Sequence, residues 1–322
     1  MAVSDHNYLV DMCYKGKILE VERILSKGGN PNRKMGARGR TALHAASTRG
    51  HLHLVELLLK QPEVRVNLGT FEGYTSLHLA AGKGHREVVA LLLDQPALDP
   101  NATNSKEKTA LHQAVDKGHK EVVALLLDHP DLDVEAADYA GRTALHYAVC
   151  RGHTDIVQLL GNHPDLDPNT TDDHGRTAVQ SASYLGDPEM LLLLLHHPRI
   201  EVNLAENGGW TALHCAAEQG HEEVLQLLLE HPGIDEGATT NWGSTALHCA
   251  VRGTCRPEVL RLLLATPNLD PNTKNHSGST AIMLLVRRGD NMGDELEVLL
   301  ECDKVDLDVK DKRGRSLEDL AG

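Results

Sequence analysis

Large aromatic side chains are scarce in this sequence. Phe, Trp and Tyr together make up 3% of the 322 residues, and there is a single Phe. A globular protein of this length normally fills its core with many more large rings. An ordinary large core is therefore excluded, and the apolar surface must be buried mainly by Leu, Val and Ala, which are plentiful.

Positive charge and long apolar runs are also lacking. The formal net charge is −14, which argues against nucleic acid as a partner because an acidic surface repels phosphates. No stretch approaches the ~18 consecutive apolar residues of a membrane-spanning helix, and the N-terminus lacks the pattern of a signal peptide. The six cysteines form no CxxC pair. This predicts a reducing location in the cytoplasm, with the nucleus as the alternative.

Motifs that carry chemistry are missing as well. The sequence has no HExxH, no Cys–His spacing of a zinc site, no nucleophile motif and no Gly-rich phosphate loop. Most of the twenty histidines recur at fixed repeat positions, which favours a structural role over metal binding. We therefore predict a protein that is not an enzyme and that uses no cofactor and no metal.

What the sequence has is a period of 34 residues. It is marked by a recurring leucine, found at Leu43, Leu77, Leu111, Leu145, Leu213 and Leu247. Val179 fills the gap in this series, Leu9 precedes it by 34 residues, and Ile282 and Leu317 follow at steps of 35. A fixed period of this size indicates a solenoid of about nine repeats with a partial tenth.

Each repeat reads as a pair of short helices. Thr41 suits the N-cap of the first helix, Leu43 and Ala46 lie on one of its faces, and Gly50 suits a left-handed helix end. Small residues let stacked helices approach closely. An alanine shares one register throughout, at Ala46, Ala80, Ala114, Ala148, Ala182, Ala216 and Ala250.

The repeated residues resemble a known family. GWTALHCAAEQGH at Gly209–His221 nearly matches GYTSLHLAAGKGH at Gly73–His85 and GRTALHYAVCRGH at Gly141–His153. This frame resembles the ankyrin repeat, whose signature is T-P-L-H-x-A, whereas the tetratricopeptide pattern of the same period is absent. The resemblance implies an all-α solenoid of stacked helix-turn-helix units with short β-hairpins or turns, and a role in protein binding.

The resemblance covers almost the whole chain. It predicts a single solenoid over residues 1–322, in which residues 1–38 form an N-terminal capping repeat with a polar outer face. Eight repeats then occupy residues 39–312, and residues 313–322 open a partial repeat.

The few aromatic residues fall mainly on the slots of the repeat that vary. In the ankyrin frame these slots are the hairpin tip, the residue before Thr, and positions just ahead of the helix-ending glycine, and the resemblance implies that they face solvent and partners. Six of the nine aromatics occupy them: Phe71, Tyr74, Tyr139, Tyr184, Trp210 and Trp242. We expect these rings to bind a protein partner, because Trp and Tyr dominate interface hot spots. The alternative is that the rings lie flat on neighbouring hairpins and only stiffen the stack.

Arg287 and Arg288 form the second candidate contact. They are interpreted as the most basic point of an acidic chain. Arginine recognises carboxylates in a bidentate manner, which predicts docking of an acidic partner segment. An ordinary solvated face is the alternative.

Three hairpin asparagines are candidates for hydroxylation, which the resemblance implies because some ankyrin proteins carry this modification. Asn101, Asn203 and Asn272 each have a leucine eight residues upstream and an acidic residue two residues upstream. The alternative role is that of a turn-forming asparagine.

These features together predict a non-enzymatic scaffold or adaptor. It would bind a protein or peptide on its concave and hairpin surface as a monomer, without nucleic acid and without inserting into a membrane. The alternative is a regulatory or targeting domain of a larger enzyme or channel, truncated after residue 322. A third hypothesis is a purely structural tether to the cytoskeleton.

Overall fold

Helices arranged in pairs make up the regular structure of the protein. The computed structural model describes residues 3–289 and 293–321. In the first half, the helices are α1 (Val3–Tyr14), α2 (Ile18–Ser26), α3 (Ala42–Arg49), α4 (Leu52–Leu59), α5 (Ser76–Ala81), α6 (Arg86–Leu93), α7 (Ala110–Asp116), α8 (Lys120–Leu127), α9 (Ala144–Cys150) and α10 (Thr154–Gly161). In the second half, they are α11 (Ala178–Leu185), α12 (Pro188–Leu195), α13 (Ala212–Gln219), α14 (Glu222–Leu229), α15 (Ala246–Arg252), α16 (Pro257–Ala265), α17 (Ala281–Arg288), α18 (Gly293–Leu300) and α19 (Leu317–Ala321). The all-α prediction is confirmed.

A reciprocal cap starts the first helix of most pairs. In α3, the Thr41 hydroxyl accepts the His44 backbone N–H at 3.4 Å, as the sequence predicts. The His44 ring completes the cap, since its Nδ1 accepts the Thr41 backbone N–H at 3.1 Å. Two orphan groups of the helix end are satisfied together. The predicted cap at Thr41 is confirmed, and the histidine half of it is an addition from the structure.

The same histidine also joins one repeat to the next. His44 Nε2 lies 2.9 Å from the carbonyl oxygen of Tyr74, and His78 Nε2 lies 2.8 Å from that of Lys108. Because Nδ1 accepts a hydrogen bond, the ring proton is on Nε2, which donates a hydrogen bond to the carbonyl. Burial lowers the pKa of both rings to about 4, so both are neutral at pH 7.

Small apolar residues build the core. The seven alanines in one register are fully buried, as predicted, and the leucine of the repeat frame is buried beside them. In the second helices, Val88 and Leu92 are buried in the same way. Each pair of helices covers its apolar stripe by packing on the next pair, so few large rings are needed.

The chain divides into two compact units, residues 1–166 and residues 167–322. In the first unit, α1 packs on α3, α3 on α5, and α5 on α7. In the second unit, α11 packs on α13, α13 on α15, and α15 on α17. Both units therefore use the same stacking rule. The repeat boundaries at residues 38 and 312 stay a prediction.

The connecting hairpins are reduced to tight turns. Among the described residues, strand pairing is limited to an isolated antiparallel bridge between Met35 and Arg40. Other loops are closed by two backbone hydrogen bonds, as where the Thr70 N–H donates to the Tyr74 carbonyl at 2.9 Å and the Gly73 N–H donates to the Thr70 carbonyl at 3.0 Å. The turn needs a left-handed residue in its fourth position, which Gly73 supplies with φ of 79°.

Candidate protein-interaction surface

Backbone hydrogen bonds between successive loops fix the positions of the hairpin tips. The Phe71 N–H donates to the Arg38 carbonyl at 3.0 Å, and the Tyr139 N–H donates to the Lys106 carbonyl at 3.2 Å. Since each tip is tied to the loop before it, its side chain is held in a defined place. The loops thus form a rigid base for whatever side chains they carry.

Four large aromatic rings are exposed, three of them at hairpin tips and one, Tyr184, in α11. Their exposed fractions are 67% for Phe71, 60% for Tyr139, 54% for Tyr184 and 57% for Trp242. The expectation that these four rings face solvent is confirmed. Each of these rings leaves apolar area open to solvent.

Phe71 and Trp242 are each packed on one side. A Cβ placed on Gly39 would come within 2.7 Å of the Phe71 ring, and one on Gly208 would come within 3.4 Å of Trp242 Cη2. The glycine of the preceding loop therefore leaves room for the ring. A ring held on one side and open on the other loses little conformational entropy when a partner covers it.

Tyr74 and Trp210 are half-buried, and the expectation that their slot faces solvent freely is wrong. The carbonyl of this slot is a bonding point for the preceding repeat, as Gln180 Nε2 donates to the Trp210 carbonyl at 2.7 Å. The Trp210 ring packs against His214 with ring centres 6.1 Å apart. Whether either residue contacts a partner stays a prediction.

A charged cluster surrounds the buried ring of Tyr147. Its hydroxyl donates to Asp138 Oδ2 at 2.6 Å, and Arg142 Nη2 lies 2.9 Å from the same oxygen. Burial alone would raise the pKa of Asp138, but these hydrogen bonds lower it to about 2. Lys108 Nζ lies 4.3 Å from the centre of the Tyr147 ring. Sequence reasoning missed this cluster, because no chemical motif joins Asp138, Arg142 and Tyr147, and Lys108 comes from the preceding loop.

Arg287 and Arg288 already have partners within the chain. Arg287 Nη2 lies 2.6 Å from Asp311 Oδ2, and Arg288 Nη1 donates to the carbonyls of Val251 and Gly253 at 2.6 and 2.8 Å. Bidentate docking of an acidic segment would require both side chains to leave these partners. That docking stays a prediction.

The statement that Arg287 and Arg288 are the most basic point of the chain is wrong. Residues 33–40 hold four cations, which are Arg33, Lys34, Arg38 and Arg40. The signal was present in the sequence as NRKMGARGR. It is missed when only the variable slots of the repeat are compared, since the loop between α2 and α3 departs from the common frame.

Comparisons with known proteins agree with the geometry of the repeats. A family model described as ankyrin repeats in three copies matches overlapping segments that together span residues 9–275. The chain belongs to the ankyrin repeat family. Among solved structures, it is similar to the ankyrin repeat domain of Bcl-3, a member of the IkappaB protein family. The two chains are 30% identical with a TM-score of 0.64, over 70% of this chain and 99% of that one. A search of curated proteins found no match.

The ankyrin fold is a protein-interaction fold that is typically non-catalytic. Within residues 3–289 and 293–321, no three His, Cys, Asp or Glu side chains are grouped so that they could hold a metal ion. None of the helices in the same residues combines the length and apolarity needed to span a membrane.

Asparagines link the ankyrin loops into ladders, and all three hydroxylation candidates take part. Asn101 Nδ2 donates to the Asp131 carbonyl at 2.7 Å, and its Oδ1 accepts the Asp133 N–H at 2.8 Å. Asn203 and Asn272 make the same two bonds to the loop that follows them. These bonds account for asparagine at this position, and hydroxylation stays a prediction.

Proposed function

We propose that the protein is a non-enzymatic adaptor that binds a protein partner through the exposed aromatic rings of its ankyrin units. The observation that carries this proposal is the exposure of Phe71, Tyr139, Tyr184 and Trp242 in a chain with nine aromatic residues. A monomer acting in the cytoplasm or nucleus is part of the proposal.

The chemistry of the thiols supports a reducing location. All six cysteines are free. Burial raises the pKa of Cys13 and Cys249 to about 12, so these thiols stay protonated and unreactive. They act as small packing residues and need no oxidising compartment.

The test is capture of partners from a lysate with immobilised protein and two double variants. The first unit is tested with Phe71→Ala and Tyr139→Ala, and the second with Tyr184→Ala and Trp242→Ala. Truncating a hot-spot ring weakens binding by about 2 kcal/mol or more. We therefore expect at least one double variant to lose the captured proteins, while its melting temperature stays close to that of the wild type.

A matched control truncates exposed aliphatic residues outside the hairpins. Leu19→Ala with Leu300→Ala removes exposed apolar area from helices α2 and α18 without touching a ring, and it should retain the partners. Loss of stability with capture intact would show instead that the rings brace the loops. Light scattering on the wild type tests the monomer.

A further inference from the structure

The loop between α2 and α3, together with α3 itself, carries positive charge that no nearby carboxylate neutralises. Residues 31–49 contain five cations and no carboxylate, whereas the whole chain has a net charge of −14. The five are Arg33, Lys34, Arg38, Arg40 and Arg49. Among the residues that the structure describes, none of the five has a carboxylate oxygen within 4.0 Å.

Two cavities in the first unit meet at these cations. One has a volume of about 510 Å³ and the other about 310 Å³, and both are lined by Arg38 and Arg40. The larger cavity is also lined by Val10, Tyr14 and Met35. It therefore combines an apolar wall with two guanidinium groups, and an apolar pocket with a few polar groups is the usual composition of a ligand-binding site.

The acidic groups at the cavities leave this charge in place. Asp11 lines the larger cavity, but its carboxylate is paired with Lys15 at 2.7 Å. Glu72 lines the smaller one, and among the ion pairs of the described residues none joins it to Arg38 or Arg40 within 4.0 Å. The guanidinium groups are thus available to a ligand.

Arg40 is the most buried of these cations. Its Nε is buried and has no hydrogen-bond partner. Burial and, after it, the charge of Arg38 lower the pKa of Arg40. Two like charges that lie near each other, one of them partly desolvated, cost free energy until an anion neutralises them.

Aromatic rings border the cations. The Arg49 guanidinium lies 4.1 Å from the centre of the exposed Tyr14 ring, and Lys34 Nζ lies 5.8 Å from that of Phe71. Stacking holds Arg49 in place without neutralising its charge. The cations therefore continue into the exposed ring at Phe71.

We propose that Arg38, Arg40 and Arg49, together with the larger cavity, bind an extended acidic segment of a partner protein. Carboxylates of the segment contact the guanidinium groups, and one apolar side chain between them enters the cavity beside Tyr14 and Met35. This inference rests on the proposed adaptor function and specifies the chemistry of the partner. Nucleic acid fits less well, because the apolar wall offers nothing to phosphates and the chain as a whole repels them.

The experiment measures binding of a fluorescein-labelled peptide of alternating Glu and Asp with one central Phe, by anisotropy on the full chain. Arg38→Glu with Arg40→Glu should weaken binding about tenfold or more, since reversing a charge at the contact turns attraction into repulsion. Lys60→Glu with Lys83→Glu is the matched control, because both lysines are exposed and lie outside the cavities while the change in net charge is identical. The control should alter affinity by about twofold or less.

Further arms separate the components of the proposal. Replacing the central Phe of the peptide by Ala should weaken binding, and raising the salt concentration should do the same for the wild type more than for the double variant. Arg38→Gln, at an exposed side chain, repeats the test with less risk to folding, which circular dichroism checks for every variant.

Several outcomes would overturn the inference. These are no binding of the acidic peptide, an equal loss in the Lys60 and Lys83 control, and equal binding of a single-stranded DNA oligonucleotide. A phosphoserine peptide that binds when the carboxylate peptide does not would overturn the carboxylate assignment. Self-association through this surface, seen by light scattering and lost in the double variant, would assign it to a second copy. Capture through the aromatic rings is measured separately, so the adaptor function can stand if this inference fails.

Discussion

Acid sensitivity of the histidine caps gives the sharpest test of the fold's energetics. His44 and His78 are buried, neutral and bonded through both ring nitrogens, and burial lowers the pKa of each to about 4. The ordinary value is about 6.5. Below pH 6.5 these histidines are protonated in the unfolded chain but not in the folded chain. Their contribution to the free energy of unfolding is therefore fully present above this pH and is lost as the pH is lowered towards 4.

The magnitude follows from linkage. Each histidine contributes a slope of about 1.36 kcal/mol per pH unit while it is protonated only in the unfolded state. Together His44 and His78 account for about 2.7 kcal/mol per pH unit, developing as the pH falls below 6.5. The interval from pH 6 to pH 5 suits the measurement, because the carboxylates are still mostly ionised there.

The chain itself suggests the perturbation. Gln180 occupies the histidine slot in α11, where its Oε1 accepts the Thr177 N–H at 2.7 Å and its Nε2 donates to the Trp210 carbonyl at 2.7 Å. Glutamine thus makes both bonds without titrating. We expect His44→Gln with His78→Gln to cost about 1 kcal/mol or less at pH 7.5 and to remove about 2.7 kcal/mol per unit from the slope.

The assay is urea unfolding followed by circular dichroism at several pH values. His53→Gln is the control, since this histidine side chain is 78% exposed and its replacement should leave the slope unchanged. Gln180→His provides the reverse change and should add acid sensitivity to the second unit. An unaltered slope between pH 6 and pH 5 in the double variant would refute the assignment of acid sensitivity to the caps.

Three further predictions address single positions. Glu107 has φ of 58° where other loops place glycine, so Glu107→Gly should stabilise the protein by about 1 kcal/mol in urea unfolding; a loss would mean that its side chain has a structural role. Tyr147→Phe removes the 2.6 Å bond to Asp138 and should destabilise by about 2 kcal/mol, whereas an unchanged midpoint would show that water replaces the hydroxyl. Mass spectrometry of the protein from its own cells should find one added oxygen on at least one of the three candidate asparagines, and unmodified peptides for all three would remove that hypothesis.

The helices and their packing were predictable from the sequence because they depend on residues that recur at a fixed spacing. The buried alanine register and the cap at Thr41 are local features of each repeat, and local features can be read from one copy. The bond that the histidine makes to the next repeat was harder to predict. His44 bonds to a carbonyl thirty residues further along the chain, and this offset follows only from the distance between stacked units.

Exposure of the variable slots was predictable only in part, for a related reason. Sequence variability shows that a side chain is free to change, but it does not show whether the backbone at that slot is engaged. At Tyr74 and Trp210 the backbone carbonyl accepts a bond from the preceding repeat, and the rings lie against His78 and His214. Phe71 donates its own N–H to the loop before it, and at Trp242 the neighbouring Asn241 N–H does so. Both rings are left at the surface.

The positive charge of the loop between α2 and α3 does not show when equivalent slots of the repeats are compared. The pair Arg287 and Arg288 stands out in an aligned repeat, yet both side chains are used inside the fold. Arg38 and Arg40 lie in the loop between α2 and α3, where the sequence departs from the repeat. Among the described residues they have no carboxylate partner. Residues that serve the stack must agree with the repeat, whereas residues that serve a partner are free to depart from it. The departures of a repeat protein are therefore the first place to look for its binding chemistry.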